Sequence, residues 1–269
     1  MISCICCHYG RTWLLAEAIE SYLRQDFDEP SELLVINDHD DISIYQHDSI
    51  AERLKPGQEV RFINWGARFS TLSAKFDYGA TLAKYPLIVM WDDDDLALQN
   101  RLAYSYAQWL LEGKPHYLSF GRHFYCDKRG PHLVARGLHG GDIMTAWAYW
   151  QCGGSDNGDG HNDQNLVGEM KRLGYYVAMD DCVPTYLYRW GNIGSHHSSK
   201  LALPDAMNEF DRCVRRSPYF KVGDLTIKPG YTRETEALIA DCRGRSARES
   251  ARLHPISDNG CPLVGSPSL

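Results

Sequence analysis

The sequence lacks the features that mark membrane-spanning and exported proteins. No run of about 18 apolar residues occurs, so no transmembrane helix is expected. The first residues, from Met1 to Cys4, carry neither the basic nor the apolar region of a signal peptide, and they predict the start of a β-strand. We therefore expect a cytoplasmic protein without a membrane anchor.

The cysteine pattern argues against a disulfide-stabilised protein, and the net charge argues against a general nucleic-acid-binding protein. The nine cysteines are odd in number and scattered through a chain too large to need disulfides, which favours reduced thiols. Cys4, Cys6 and Cys7 cluster without a second Cys/His pair at zinc-finger spacing, so a buried strand with cysteine as a small apolar residue is favoured over structural zinc. The net charge of −7 argues against a general nucleic-acid-binding surface and leaves a local basic groove open.

Residues 86–95 form a short apolar run that ends in an aspartate tetrad, Asp92, Asp93, Asp94 and Asp95. The apolar part, centred on Ile88 and Val89, predicts a buried strand. Four adjacent acids repel one another, and burying them unpaired would be costly. Their oxygen atoms suit Mg²⁺ or Mn²⁺, often with a substrate phosphate completing the coordination shell. The alternative is a solvated acidic cap on the helix that follows.

Strands and helices alternate through the first half of the chain, which indicates an α/β protein. Its 269 residues, 43% of them apolar, allow one large domain or two small ones with a real core. Strands are predicted at 3–7, 33–36, 60–63 and 86–90, and helices at 14–26, 50–54 and 71–84. This order predicts a largely parallel sheet with helices on both faces, which binds ligands beyond the carboxyl ends of its strands. Polar clusters at residues 8–11, 37–41 and 92–95 follow three of those ends, so we expect them to converge.

The second half is less regular. Helices are predicted at 101–111, 165–173, 204–215 and 232–242, and strands at 117–125, 133–136, 175–179 and 185–188. Residues 153–162 form a loop rich in Gly, Asp and Asn. From residue 243 the chain is polar with little periodicity, which predicts a loose tail.

Three early stretches resemble the opening of the family 2 glycosyltransferases with the GT-A fold. Residues 3–11 end in His-Tyr-Gly-Arg, where the family has Thr-Tyr-Asn-Arg after its first strand. Residues 18–25 contain Ser-Tyr-Leu-Arg-Gln, similar to the family's Ser-x-Leu-x-Gln helix, and residues 32–38 end in Asn-Asp where the family has Asp-Asp. The resemblance implies a GT-A, Rossmann-like α/β fold with a mostly parallel central sheet and C-terminal helices.

Later motifs follow in the family's order. Trp91 and the aspartate tetrad are similar to the Asp-x-Asp segment, and Asn162-Asp163 matches the place of the Glu-Asp pair that carries the catalytic base. Tyr188-Arg189, with Asn192 and Ser195, is similar to the closing segment. The resemblance covers about residues 2–200. It predicts a domain over 1–200, with a nucleotide-binding half (1–98) and an acceptor half (99–200), then a helical extension (201–242) and a flexible tail (243–269).

For the donor, the resemblance implies a nucleotide sugar held by Cys7, Tyr9, Arg11, Asp38, Lys75, Asp92 and Asp93. Asp38 would accept a hydrogen bond from the imide N–H of uracil or thymine. Tyr9 would stack on that base or pack beside it. Lys75 would meet the base or the diphosphate, the alternative being an ordinary lysine on a helix surface.

For the metal, the resemblance implies Asp94 as the direct ligand of Mn²⁺ or Mg²⁺. Asp92, two residues away on the same side of an extended chain, would contact the ribose or the metal. A late histidine returns to the metal in many GT-A enzymes, and His196 and His197 are the candidates. Asp163 would be the general base, or the N-cap of a helix, or both.

For the acceptor, Trp147, Tyr149 and Trp150 could form a stacking platform, with core packing as the alternative. The implied function is inverting transfer of a hexose, such as glucose, from a UDP-sugar to a hydroxyl group. The acceptor could be a cell-envelope glycan, a protein, a small molecule or, in a phage-encoded enzyme of the host cytoplasm, a hydroxymethylated DNA base. A local phosphate-binding face for DNA could be made by Arg212, Arg215, Arg216, Lys221, Arg243, Arg245 and Arg248.

A protein of another class also fits the sequence. Asn37 and Asn162 stand where the family has acids. The chain could therefore be a non-catalytic module that binds a nucleotide sugar or a carbohydrate on a degenerate GT-A scaffold.

Overall fold

The computed structural model describes residues 1–127, 130–135, 142–154, 162–189 and 206–253. In chain order the elements are β1 (Ile2–His8), α1 (Thr12–Leu23), β2 (Ser31–Asn37), β3 (Ile42–Gln46), α2 (Asp48–Ala51), β4 (Gln58–Asn64), α3 (Leu72–Leu82), β5 (Leu87–Met90), β6 (Leu96–Ala97), α4 (Arg101–Leu111), β7 (Tyr117–Phe120), β8 (Arg122–Asp127), β9 (Gly130–Ala135), β10 (Ile143–Thr145), α5 (Ala146–Gln151), α6 (Asn162–Arg172), β11 (Tyr176–Met179), β12 (Tyr186–Arg189), α7 (Ala206–Arg215), β13 (Gly223–Ile227) and α8 (Arg233–Leu253).

A seven-stranded sheet in the order β11-β7-β10-β5-β1-β2-β4 lies at the centre of the fold. All neighbouring strands in it are parallel except β10, which runs antiparallel to both β5 and β7. β2 is buried along its whole length, as expected of a parallel strand with helices on both faces. The predicted mixed α/β class with a mostly parallel sheet is confirmed.

Helices α1 and α3 belong to separate apolar clusters of the core. Leu15, Ile19 and Tyr22 of α1 are fully buried in the larger cluster, while Phe76 of α3 belongs to a second one. On α3, a methyl group at Gly79 would lie 2.5 Å from the side chain of Ile5. Glycine therefore allows α3 to pack closely on β1, the strand that carries the first polar cluster.

Two smaller sheets join distant parts of the chain. β3 and β13 pair in parallel, with Gly223 opposite Ile42. The second sheet has the order β6-β12-β8-β9, in which β12 is antiparallel to β6 and parallel to β8. Because β6 directly follows the aspartate tetrad, this sheet brings residues from the end of the domain to it. Among the described residues no helix has both the length and the apolar character needed to cross a bilayer.

Two expectations about the second half need correction. The predicted strand 117–125 is two strands, β7 and β8, separated at Gly121. The loose tail predicted from residue 243 is wrong as far as Leu253, because α8 continues to that residue. The helix is held there by tertiary contacts that a local pattern does not record: Ser246 donates to the carbonyl oxygen of Pro184 at 2.9 Å, and Arg122 pairs with Glu249 at 2.7 Å. Residues 254–269 lie outside the described residues.

Candidate active site

The carboxyl ends of β1, β2 and β5 bring the three polar clusters together. His8 lies opposite Asn37 in the parallel register of β1 and β2. His8 Nδ1 is 2.7 Å from a carboxylate oxygen of Asp93, and Lys75 donates to the carbonyl oxygen of His8 at 2.7 Å. The convergence expected from the sequence is therefore present.

The tetrad has two inner carboxylates, Asp93 and Asp95, which are 1% and 3% exposed. Asp93 is bound by both His8 and Arg11. Burial alone would raise the pKa of Asp93, but the charge of Arg11 and the hydrogen bond with His8 hold that pKa below its usual range. Asp93 is thus a charged, internally paired group, whereas the resemblance assigned it to the donor.

Asp95 is held by β12. It accepts a hydrogen bond from the backbone N–H of Arg189 at 2.7 Å, and it also contacts the Tyr186 hydroxyl. Burial and the negative charges of Asp94 and Asp92 raise the pKa of Asp95 well above its usual range. The Tyr186 hydroxyl has one hydrogen and also contacts Asp92, so a protonated Asp95 would complete the pair of hydrogen bonds.

The outer carboxylates are Asp92 and Asp94. Asp92 is exposed, and the Asp94 side chain is 12% exposed and receives a 2.6 Å hydrogen bond from Arg11. Partial desolvation by the surrounding protein and the neighbouring charge of Asp94 raise the pKa of Asp92 to about 6. Two crowded carboxylates facing the open side are what a divalent cation would stabilise.

The donor atoms present fit a magnesium-type site in part. Within the described ranges no three His, Cys, Asp or Glu residues converge as metal ligands. Such cations, however, are commonly held by one or two carboxylates, with substrate phosphates and water completing the shell. Asp92 and Asp94 supply that minimum. His196 and His197, the other two predicted ligands, lie outside the described residues.

On the nucleotide side, Asp38 and Lys75 form a buried ion pair. The second oxygen of Asp38 accepts a 3.0 Å hydrogen bond from the backbone N–H of Phe69. Lys75 is buried and is therefore not the ordinary surface lysine that was its alternative. Both oxygens of Asp38 are engaged, so an imide N–H would share or replace the contact with Phe69.

Tyr9 is 7% exposed and is packed on several sides. The guanidinium of Arg68 lies 4.0 Å from the centre of its ring, and the ring of Phe210, on α7, lies 6.0 Å away. A Cβ atom at Gly10 would lie 2.8 Å from Val214 of α7, in a backbone conformation with φ of +70°. Glycine in place of the family's Asn therefore allows α7 to pack against this turn.

Other predicted residues lie in different surroundings. Cys7 is partly buried, and burial raises its thiol pKa to about 12, so it is not a reactive thiolate.

Tyr149 is fully buried and hydrogen-bonded to Asp77. Trp147 is 52% exposed, but its ring packs against His116, 4.7 Å away, near the start of β5, at the edge opposite the tetrad. The structure does not bring the three predicted acceptor rings, Trp147, Tyr149 and Trp150, together at the tetrad.

The predicted base lies at the start of α6. That helix begins at Asn162, so Asp163 occupies its first turn. The side chains of both residues lie outside those the structure describes. The role of Asp163 stays a prediction.

The predicted phosphate-binding face contains several paired arginines. Arg215 forms ion pairs with Asp41 and Asp211, both at 2.9 Å, and Arg245 pairs with Asp241 at 3.0 Å. These pairs reduce the free positive charge that DNA would meet. On the surface of the described residues, nothing specifically favours a DNA acceptor.

Sequence reasoning missed four residues at the site: Arg68, Arg101, Tyr186 and Arg189 as partners of the tetrad and of Tyr9. The resemblance places Arg189 in the family's closing segment without giving it a role. Its Nε donates to the backbone oxygen of Asp94 at 2.5 Å, and its guanidinium pairs with Glu17 of α1. The available signal was the place of Arg189 directly after the predicted strand 185–188; Arg68, Arg101 and Tyr186 are not at the end of a predicted strand.

Comparisons with known proteins agree with this geometry. Residues 3–133 match the model of the family described as glycosyl transferase family 2. No curated protein matches the sequence.

Solved structures resemble the chain in fold. S. aureus TarS 1–349 in complex with UDP-GlcNAc is 14% identical with a TM-score of 0.56, over 93% of this chain and 74% of that one. The chain spans only 43% of the longer S. aureus TarS structure. The mannosyltransferase PcManGT from Pyrobaculum calidifontis, in complex with GDP-Man and Mn²⁺, is 13% identical with a TM-score of 0.55, over 94% of this chain and 75% of that one. The family match over residues 3–133, just under half of the chain, and the GT-A fold shared with these structures across nearly the whole chain support a family 2 glycosyltransferase.

Proposed function

We propose that the protein transfers a hexose, such as glucose, from a UDP-sugar to an acceptor hydroxyl in a metal-dependent, inverting reaction. The observation that carries this proposal is the division of the tetrad. Asp93 and Asp95 are bound internally, while Asp92 and Asp94 face the open side, on the same sheet edge as Asp38 and Lys75. A metal–diphosphate group and a pyrimidine base thus each have a candidate position.

Asp92 and Asp94 would hold the Mn²⁺ or Mg²⁺. When bound, the metal neutralises the charge that develops on the departing diphosphate. Arg189 lies beside them, and its Nη2 is buried without a hydrogen-bond partner among the described residues. A buried unpaired donor is destabilising, so a phosphate oxygen at this nitrogen would be favourable.

On the nucleotide side, Asp38 would accept from the imide N–H of the base, and its ion pair with Lys75 holds that carboxylate in place. The pair is buried, so its position is well defined before any ligand binds. Acceptance from an imide selects uracil or thymine, because cytosine has no such N–H. This supports a uridine donor.

Asp163 would be the general base. It would take the proton of the acceptor hydroxyl while that oxygen attacks the anomeric carbon opposite the diphosphate, and one such displacement inverts the anomeric centre. A free aspartate has a pKa of about 3.9 and is a weak base, so it would act mainly through its position within hydrogen-bond reach. Both a glycan and a hydroxymethylated DNA base present a suitable hydroxyl.

The donor is tested by incubating the protein with UDP-glucose, UDP-GlcNAc and GDP-mannose, with Mn²⁺ or with a chelator. We expect slow release of UDP only from UDP-sugars and only with the metal. Glycan and hydroxymethylated-DNA acceptors are then added to see which accelerates the release. No turnover together with no metal-dependent UDP binding would overturn the proposal.

The binding-module alternative is tested with Asp163→Asn. This variant should lose transfer while it keeps the wild-type affinity for UDP. Glu169→Gln, on the same helix and ion-paired with nearby Arg172, is the matched control and should remain active. A wild-type protein that binds UDP-sugars yet transfers to no acceptor would favour the binding module.

A further inference from the structure

The position of the Asp92 carboxyl group depends on a single tyrosine. Within the described part of the chain its carboxyl group has one hydrogen-bond partner, the hydroxyl of Tyr186, 2.7 Å from Oδ2. The other three aspartates each have at least one basic or backbone partner: Arg11 for Asp93 and Asp94, and the N–H of Arg189 for Asp95. The most exposed of the four aspartates is thus the one whose carboxylate has the fewest hydrogen-bond partners among the described residues.

The same hydroxyl also contacts Asp95. Tyr186 begins β12, where it lies opposite Ala97 of β6, just after the tetrad. Its side chain is almost fully buried. One hydroxyl therefore links the first and last members of the tetrad and fixes the distance between an outer and an inner carboxylate.

Arg101 holds this tyrosine from the other side. Its guanidinium is fully buried between two rings, 4.9 Å from the centre of Tyr186 and 4.7 Å from the centre of Trp91. It donates to the carbonyl oxygen of Met90 at 2.7 Å, so it is anchored to the strand that ends at the tetrad. A planar guanidinium suits a place between two aromatic rings better than an ammonium does.

We propose that Tyr186, held by Arg101, is a positioning residue for the transfer reaction, because it fixes the Asp92 carboxylate beside Asp94 for the metal and the donor. The inference rests on the proposed function. Without the hydroxyl, repulsion from Asp94 would turn Asp92 away and leave one ordered carboxylate. This arrangement explains why Trp91 stands where an aliphatic residue is common in the family: it is one of the two rings that enclose Arg101.

The test is Tyr186→Phe, which keeps the ring, its packing and its contact with Arg101 while it removes the hydroxyl. We expect Mn²⁺ binding in the presence of UDP, measured by calorimetry, to weaken about tenfold, as is usual when a partner of a metal ligand is lost. UDP binding in the presence of a chelator should stay at the wild-type value. In the donor-hydrolysis assay the Mn²⁺ concentration for half-maximal rate should rise, while the rate at saturating Mn²⁺ changes little.

Tyr117→Phe is the matched control. Tyr117 donates to the buried carboxylate of Asp142 at 2.6 Å, on a strand that β10 separates from β5. Both variants remove a buried tyrosine–carboxylate hydrogen bond, so both should lower the thermal midpoint, but only Tyr186→Phe should weaken Mn²⁺ binding. Equal Mn²⁺ affinity in wild type and Tyr186→Phe would overturn the inference and leave the proposed function standing. A wild-type protein with no Mn²⁺-dependent UDP binding would overturn both.

Arg101→Lys tests the second half of the inference. It keeps the charge and loses the planar group between the rings. We expect a folded protein with weakened Mn²⁺ binding in the same assay. Wild-type affinity in folded Arg101→Lys would overturn the role of Arg101.

Discussion

The hydroxyl of Tyr9 donates a 2.9 Å hydrogen bond to Asp211, and this bond ties the turn after β1 to helix α7. Phe210 and Val214, from the same helix, form a small apolar cluster with Tyr9. The ring that the family resemblance assigns to the base is therefore covered by a helix far along the chain. A base could stack on Tyr9 only if α7 or Arg68 withdrew from it.

The first prediction concerns this cover. Asp211→Ala removes the hydrogen bond from Tyr9 and one of the two ion pairs of Arg215, so α7 should be held less firmly. If the covered state competes with the base, a smaller closed population raises the apparent affinity, and we expect UDP to bind several-fold more tightly in calorimetry. Asp241→Ala, which breaks a comparable ion pair on α8, is the control. Weaker UDP binding in Asp211→Ala would instead make α7 part of the binding surface.

The second prediction separates the inner and outer aspartates. Asp93→Asn removes the buried carboxylate that both His8 and Arg11 bind and leaves Arg11 with its pair to the more exposed Asp94, so the free energy of unfolding in urea should fall by about 3 kcal/mol. Asp94→Asn should be much better tolerated in folding, because Arg11 keeps Asp93. It should nevertheless reduce Mn²⁺-dependent donor hydrolysis by about a hundredfold or more. Equal stability losses in the two variants would contradict this division.

Much of the fold could be predicted because short stretches of sequence indicate its strands and helices. Through residue 98, the four strands of the large sheet contain short apolar runs, so the alternation with helices and the converging strand ends could be predicted, whereas β3 and β6 were not. The pairing of β13 with β3 and the contact between Phe210 and Tyr9 join residues far apart in the chain, and no local period records them. The tetrad shows the same limit. Four identical side chains do not reveal which two face inward, since Arg11 and the backbone of Arg189 decide it.

The third prediction compares two lysine–carboxylate pairs. Lys75 and Asp38 are both buried, so Lys75→Met leaves an unpaired buried carboxylate and should cost about 3–5 kcal/mol of unfolding free energy. Lys84 and Glu59 are both more than 40% exposed, and Lys84→Met should cost about 1 kcal/mol or less. Urea unfolding of the two variants measures the difference. Similar losses would mean that the Lys75 pair is solvated in solution.

The fourth prediction is a pH dependence that comes from His39. This side chain is buried beside Tyr9, and its Nδ1 accepts a hydrogen bond from the N–H of Asp41 at 3.1 Å. Burial and the charge of Arg215 lower its pKa, against the opposite influence of Asp211, Asp41 and Asp40. Because the folded state has the lower pKa, the unfolded chain binds this proton more readily. The neutral imidazole therefore contributes stability above about pH 6.5, the usual histidine pKa, and that stability is lost as the pH falls below it.

His39→Asn keeps an acceptor for the Asp41 N–H and removes the titration. Above pH 7 the variant should be less stable than the wild type, because a smaller side chain leaves part of the site unfilled. As the pH is lowered toward 5, the gap between the two thermal midpoints should narrow by a few degrees, roughly what a change of 0.5–1 kcal/mol produces in a protein of this size. His47→Asn is the control, because Nδ1 of His47 also accepts from a backbone N–H but in a less buried place. It measures the effect of replacing an imidazole with an amide on its own. A gap that stays constant from pH 7.5 to pH 5 would show that His39 does not supply this pH dependence.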